Sequence, residues 1–173
     1  MLLSISDMPS ALKTLRIVSA LKIQKVSADP IELLDDTTIR QAWCMIKTCL
    51  QHDGIGLAAN QVGINKLMFV AREDENNFRL IANPVWAPAT DDSVLDIGLE
   101  GCLSIPGESI PVERHPQIVA SWLGCDSETL DGSRSRLFQH ETDHLLGLSI
   151  LEVGKVNRAD LRRITSKLKK LRF

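Results

Sequence analysis

The 173-residue sequence has no apolar run approaching the 18 or so residues that a membrane-spanning helix requires, so no segment reads as a membrane span. Its first 25 residues, "MLLSISDMPSALKTLRIVSALKIQK", lack the continuous apolar stretch of a secretory signal. Four basic residues against one acid there leave an organellar-targeting reading open. The expected location is nevertheless the cytoplasm, with an organelle or a virus-infected host cytoplasm as the remaining options. Charge in excess is also missing: a formal net charge of −2 gives no whole-molecule attraction to nucleic acid or membrane, so any basic docking face must be local. Cys44, Cys49, Cys102 and Cys125 contain no C-x-x-C pair, which gives no disulfide framework and suits a reducing compartment. There is no internal repeat and no low-complexity segment.

What is present is an ordinary globular composition, 44% hydrophobic and 24% charged, in a chain long enough to bury one core. Ile39, Trp43, Ile46 and Leu50 recur at three- and four-residue steps and predict an amphipathic helix over 37–50, capped by Asp35 or Asp36. Short apolar runs at 67–71, 79–83 and 118–123, bounded by turn residues, predict strands. A second helix is expected to start near Asp131 or Gly132 and to stop at Gly147. A third is expected to follow Asn157 as N-cap, with Leu161, Ile164, Leu168 and Leu171 on one stripe. Trp43, Trp86 and Trp122 are expected in the core. The fold class is α+β: antiparallel strands around a central metal-binding helix, with a C-terminal helix laid against them.

The metal expectation comes from "FQHETDHLLGLS" at 138–149, where His140 and His144 stand four apart. On a helix such residues share one face, and two imidazoles there can close on one ion. In zinc proteases carrying His-Glu-x-x-His the next ligand usually lies downstream. Here the only downstream carboxylates are Glu152 and Asp160, beyond the expected helix end, which argues against a protease. Upstream, "GLEGCLSIPGE" at 98–108 sets Cys102 in glycine-rich backbone. A thiolate binds zinc or ferrous iron well, and one Cys with two His leaves a fourth position open, the pattern of a catalytic site. In "GIGLAANQ" at 54–61 small residues leave room for a substrate main chain, and the Gln61 amide can donate to an oxygen that becomes negative in a transition state.

Taken together and in order, "GIGLAANQ", "EGCLS" and "QHETDH" resemble, position for position, the three signature motifs of the peptide deformylase family. The resemblance runs from about residue 23 to residue 173, and its strength is concentrated in those nineteen residues or so. It implies one catalytic domain over 1–173, with 1–12 as an N-terminal extension and 157–172 as the C-terminal helix. It implies removal of the formyl group from formyl-methionine at the N-terminus of nascent proteins, with release of formate. One divalent ion is implied, held by Cys102, His140 and His144: Fe2+ in the native state, often Zn2+ or Ni2+ on isolation. Glu141 is implied as the acid/base residue, and Gln61 with the backbone N–H of Leu103 as oxyanion donors. Gly54, Ile55, Gly56, Glu100, Gly101 and Leu137 are implied to line the groove for an extended peptide, with Asp53 and Arg114 paired behind the site. A silent, purely binding homologue is disfavoured by intact Glu141, Cys102 and Gln61. A monomer is expected, with no membrane partner.

Two features stand outside those motifs. From residue 155 onward the chain has eight Lys or Arg and one Asp. In bacterial members of the family a basic C-terminal extension is linked to docking on the ribosome, where phosphates would attract it. Ahead of His140, "GSRSRLFQHE" replaces the family's apolar run with Ser133 and Arg136. Arg136 is therefore expected at the pocket rim, its stem inside and its guanidinium in water, favouring an acidic residue shortly after the formyl-methionine.

Overall fold

The computed structural model describes residues 1–90 and 94–171. The first helix, α1 (Asp36–Gln51), begins where Asp35 Oδ1 accepts from Thr38 N at 2.7 Å. Its inner face, with Ala42, Met45, Ile46 and Cys49, is fully buried. That face packs on a four-stranded antiparallel sheet of order β1 (Leu2–Ser4), β4 (Asn77–Ala82), β3 (Met68–Arg72) and β2 (Gly56–Ala58). The first residues of the chain are thus an edge strand, Leu2 lying opposite Arg79 and Leu3 opposite Phe78.

A second antiparallel sheet has the order β5 (Val85–Pro88), β8 (Gln117–Trp122) and β9 (Cys125–Asp131). A two-stranded ribbon joins β6 (Asp96–Gly101) to β7 (Ser109–Arg114). Between these sheets runs α2 (Gly132–Leu145), whose Phe138 and Leu145 pack with Phe69, Ile81, Ile118 and Trp122. The short α3 (Ile150–Val153) and α4 (Arg158–Lys170) cover β7, burying Ile105, Ile110, Val112, Ile150, Ile164 and Leu168 in one cluster.

Helix α2 ends in a Schellman turn. Gly147, at φ 83°, sends its N–H to His144 O at 2.8 Å, and the Leu148 N–H reaches Asp143 O at 2.9 Å. Helix α4 starts where expected, with Asn157 Oδ1 accepting from Ala159 N and Asp160 N. Its expected stripe is buried only in the middle: Ile164 and Leu168 are inside, whereas Leu161 and Leu171 are more than a third exposed, because the body it packs on spans only its central turns. Residue 172, placed in that helix by the sequence reading, lies outside the described residues. Trp43 and Trp122 are buried as expected, while Trp86 is half-buried, its ring tilted against that of His115 at a centroid distance of 5.8 Å. No helix among the described residues is long and apolar enough to cross a membrane.

Candidate functional site

Three pieces of backbone converge on one cleft of about 660 Å³: the turn after α1 with β2, the end of β6 with the turn after it, and the inner face of α2. Cys102 lies where β6 gives way to a turn, and His140 and His144 project from successive turns of α2. Their Sγ and ring nitrogens all lie within 4.8 Å of one another. His144 Nε2 is 3.3 Å from Cys102 Sγ and 3.1 Å from His140 Nε2. An ion bonded tetrahedrally at 2.0–2.3 Å would hold N and S donors about 3.3–3.6 Å apart, so the donor set fits a zinc-sized cation.

Each histidine is aimed by its other nitrogen. His140 Nδ1 meets Glu100 Oε2 at 2.8 Å, and His144 Nδ1 donates to Leu148 O at 2.8 Å, the carbonyl that the Schellman turn brings back beneath the helix. Both Nε2 atoms therefore face Cys102. Burial opposes ionisation of the Cys102 thiol, but the imidazoles of His144 and His140 outweigh it and bring it down to about 5. The thiol thus carries the thiolate character a metal needs.

Glu141 is buried behind these donors, and its Oε2 has no hydrogen-bond partner among the described residues. Burial, opposed by the two histidines, pushes its carboxyl up to about 7. Gly56 makes room for it, since a Cβ there would press on Glu141 Oε1 and approach Leu137 Cδ1 to 2.7 Å. Gln61, 2% exposed, accepts from Ala58 N at 2.8 Å through Oε1, which orients its amide. Nε2 is then turned toward Ser104 Oγ at 3.2 Å and Cys102 Sγ at 3.6 Å. The Leu103 N–H, in the turn after Cys102, has no acceptor among the described residues. A cation held by this set, beside a buried carboxylate and two donors, is an arrangement for attacking a carbonyl with water.

A model of the polypeptide deformylase family matches residues 16–160. The chain belongs to the peptide deformylase family. The peptide deformylase of Pseudomonas aeruginosa is 35% identical over 149 residues, covering 83% of this chain and 86% of that one. The peptide deformylase of Fusobacterium nucleatum is 31% identical over 157 residues, covering 88% and 83%. Among solved structures, the deformylase of Synechococcus elongatus in complex with actinonin superposes with a TM-score of 0.76 at 30% identity, covering 90% of each chain. That of Plasmodium falciparum superposes at 0.73 with 30% identity, covering 90% of this chain and 94% of that one. As a member of this family the protein is a metal-dependent hydrolase that removes the N-formyl group from formyl-methionine of nascent proteins.

Against that deformylase frame, Gly54, Ile55, Gly56, Gln61, Gly101, Leu103 and Leu137 all line the cleft together with Cys102, His140 and Glu141, while His144 is buried beneath it. Glu100 also lines it, but its carboxylate turns inward, 6% exposed, and pairs with Arg114 at 2.9 and 3.0 Å as well as with His140. Burial opposes its ionisation, yet the hydrogen bonds from His140 and Arg114 hold it at about 2. The expected Asp53–Arg114 pair does not form. Asp53 sits exposed at φ 53° in the turn after α1, whereas Arg114 is buried on β7 and reaches Glu100 and Asp143, the latter at 2.5 Å. Asp143 was missed because nothing in "ETDH" separates an anchoring acid from a solvated one.

The expectation for Arg136 also fails. Its guanidinium is held by Glu100 and Asp96 rather than left in water, so no free cation remains at the rim to favour an acidic substrate residue.

Proposed function

We propose that Cys102, His140 and His144 hold one divalent ion, Fe2+ in the native state and readily exchanged for Zn2+ or Ni2+, and that Glu141 is the general base and acid of deformylation. The observation that carries this is the convergence of the three donor atoms within 4.8 Å beside a buried carboxylate with an unpartnered oxygen. A borderline-soft ion suits one thiolate and two imidazoles, and an oxygen-loving ion such as Mg2+ does not. When bound, the ion supplies Lewis-acid polarisation of the formyl oxygen and of the attacking water.

The chain's own groups do the rest. Glu141 takes the proton of the attacking water and later delivers it to the departing amine, so one carboxylate serves both steps. The Gln61 side-chain amide and the Leu103 N–H donate to the formyl oxygen as it gains charge. Gly54, Ile55 and Gly56 on one wall, with Glu100 and Gly101 on the other, hold the peptide extended as an added strand, and Leu137 packs against the methionine side chain. Both flanking strands, β2 and β6, are edges of their sheets, which supports this reading.

The working partner is the formyl-Met end of a nascent chain, met by a monomer in the cytoplasm. Docking on the ribosome would use α4, where Arg158, Arg162, Lys169 and Lys170 are exposed and have no acidic partner among the described residues. The deciding experiment is formate release from formyl-Met-Ala-Ser by freshly reduced protein loaded in turn with iron, zinc and nickel. Activity that did not follow metal content would sink the ligand assignment.

A further inference from the structure

Arg136 is on α2, but all its terminal hydrogens are taken by the ribbon beside it. Nη1 donates to Glu100 Oε1 at 2.9 Å and to Val112 O at 3.0 Å. Nη2 donates to the backbone O and to Oδ2 of Asp96, both at 3.0 Å. One guanidinium thus joins the helix bearing the metal-binding histidines to β6 and β7.

Besides β7, the other side chains that hold β6 are Arg114 and His140, and both act at the Glu100 carboxylate near its end. Among the described residues its only strand neighbour is β7, its other edge faces the cleft, and Asp96, Ile97, Leu99 and Gly101 are exposed. Among the described residues, Arg136 is the only side chain that hydrogen-bonds the β6 backbone. Arg114 grips the same Glu100 carboxylate, yet its other bond runs to Asp143.

Gly98 is the matching half of the contact. A Cβ built there would lie 2.8 Å from Arg136 Cζ, 2.9 Å from Nη2 and 3.1 Å from Nε. The guanidinium therefore fills the space a side chain at position 98 would need, and any larger residue would displace it.

We infer that Arg136 is a positioning residue for substrate: seated under Gly98, it clamps β6 so that the strand's free edge is already formed when the peptide arrives. The inference rests on the reading that the peptide adds to the cleft as a strand. Preforming the edge removes an ordering cost from binding. Neither Arg136 nor Gly98 reaches the formyl group, so their loss acts on KM rather than on kcat.

The test uses the full-length, metal-loaded enzyme with formyl-Met-Ala-Ser and with its N-methyl-Ala analogue, which lacks one main-chain donor. Arg136→Met leaves Glu100 paired with Arg114 and His140, so no buried charge is orphaned. It should raise KM for the ordinary peptide about tenfold, the scale of one or two lost hydrogen bonds. It should leave metal content unchanged and kcat within about twofold. Gly98→Ala should move KM the same way, because its methyl pushes the guanidinium aside. The double variant should be no worse than Arg136→Met alone, since the methyl then meets nothing; a merely structural role would give additive losses. If the parent treats both peptides alike, the strand-addition reading fails and takes the clamp with it. If the parent discriminates but Arg136→Met leaves KM unchanged or lowers only kcat, or if the two single losses add, the clamp is refuted.

Discussion

Among the acids of the described residues, Glu141 is distinguished by a buried oxygen without a partner, Oε2, while its Oε1 takes up the space that Gly56 leaves open. A carboxylate kept dry beside a metal-binding set can hold a proton between steps, which solvated acids do poorly near neutral pH. Glu141→Gln keeps the shape and leaves all three donors in place. Metal content and thermal unfolding should match the parent, while turnover falls by at least about a hundredfold. Activity within a few-fold of the parent would mean that another group moves the proton. The donors themselves were legible from spacing, because four residues on a helix fix two imidazoles on one face whatever the surroundings. The partners behind them were not. Along "GLEGC" hydropathy would put Leu99 inside and Glu100 outside, yet Leu99 is 72% exposed and Glu100 only 6%. Arg114 on β7 and Arg136 and His140 on α2 reverse that order by supplying a buried carboxylate with charge-assisted partners from two separate elements.

For whole elements, legibility followed the source of their stability. Helices α1 and α4 carry side-chain N-caps and α2 closes on Gly147, and all three were readable within a residue or two. Strands such as β6, "DIGLEG", and β9, "CDSETLD", have weak intrinsic strand preference and exist because a neighbour pairs with them. The close of α2 is the most exacting local feature. Gly147 holds a left-handed φ of 83°, and a Cβ there would stand 2.7 Å from Lys25 N. Gly147→Ala should therefore cost more than the 1–2 kcal/mol or so of a strained left-handed residue, lowering Tm by several degrees. It should also loosen metal binding, since the same turn presents Leu148 O to His144. An unchanged Tm would contradict this account.

Helix α4 offers a pH test. Arg163 and then Lys167 hydrogen-bond Glu108 at the cleft rim and hold its carboxyl at about 2. A carboxyl that ionises more readily when folded stabilises the fold above its unfolded pKa of about 4.3, and that contribution fades as pH falls toward 2. Amide-exchange protection around Ile164 should thus be higher in the parent than in Glu108→Gln at pH 7 and at pH 5, and the difference should close on further acidification. A difference independent of pH would show that the ion pair is not its cause.

At the level of the molecule, the three motifs are far apart in sequence and meet only because two sheets and a ribbon surround α2. Composition and periodicity pointed to an α+β arrangement, but nothing local announced that β1 completes the first sheet. Its Leu3 is 4% exposed and covers part of the α1 side of the core. Removing residues 1–4 should cost about 2 kcal/mol, the burial of one leucine, and leave the β4 edge open to association. Thermal unfolding and light scattering would read the two effects, and a truncated chain as stable and as monodisperse as the parent would show that β1 is dispensable.

The segment between β1 and α1 adds an order in time. Val18 N bonds Gln61 O, Ala20 N bonds Ser104 O, and Val26 N bonds Leu145 O, each through main-chain atoms alone. A stretch made early in synthesis thus waits for partners made progressively later, the last of them more than a hundred residues downstream. Such long-range closures come late in folding. While its own chain is still being translated, the enzyme has the Cys102 thiol but neither histidine to share a metal with it. The donor set, and the Leu148 carbonyl that aims His144, are complete only once the turn after α2 has been made.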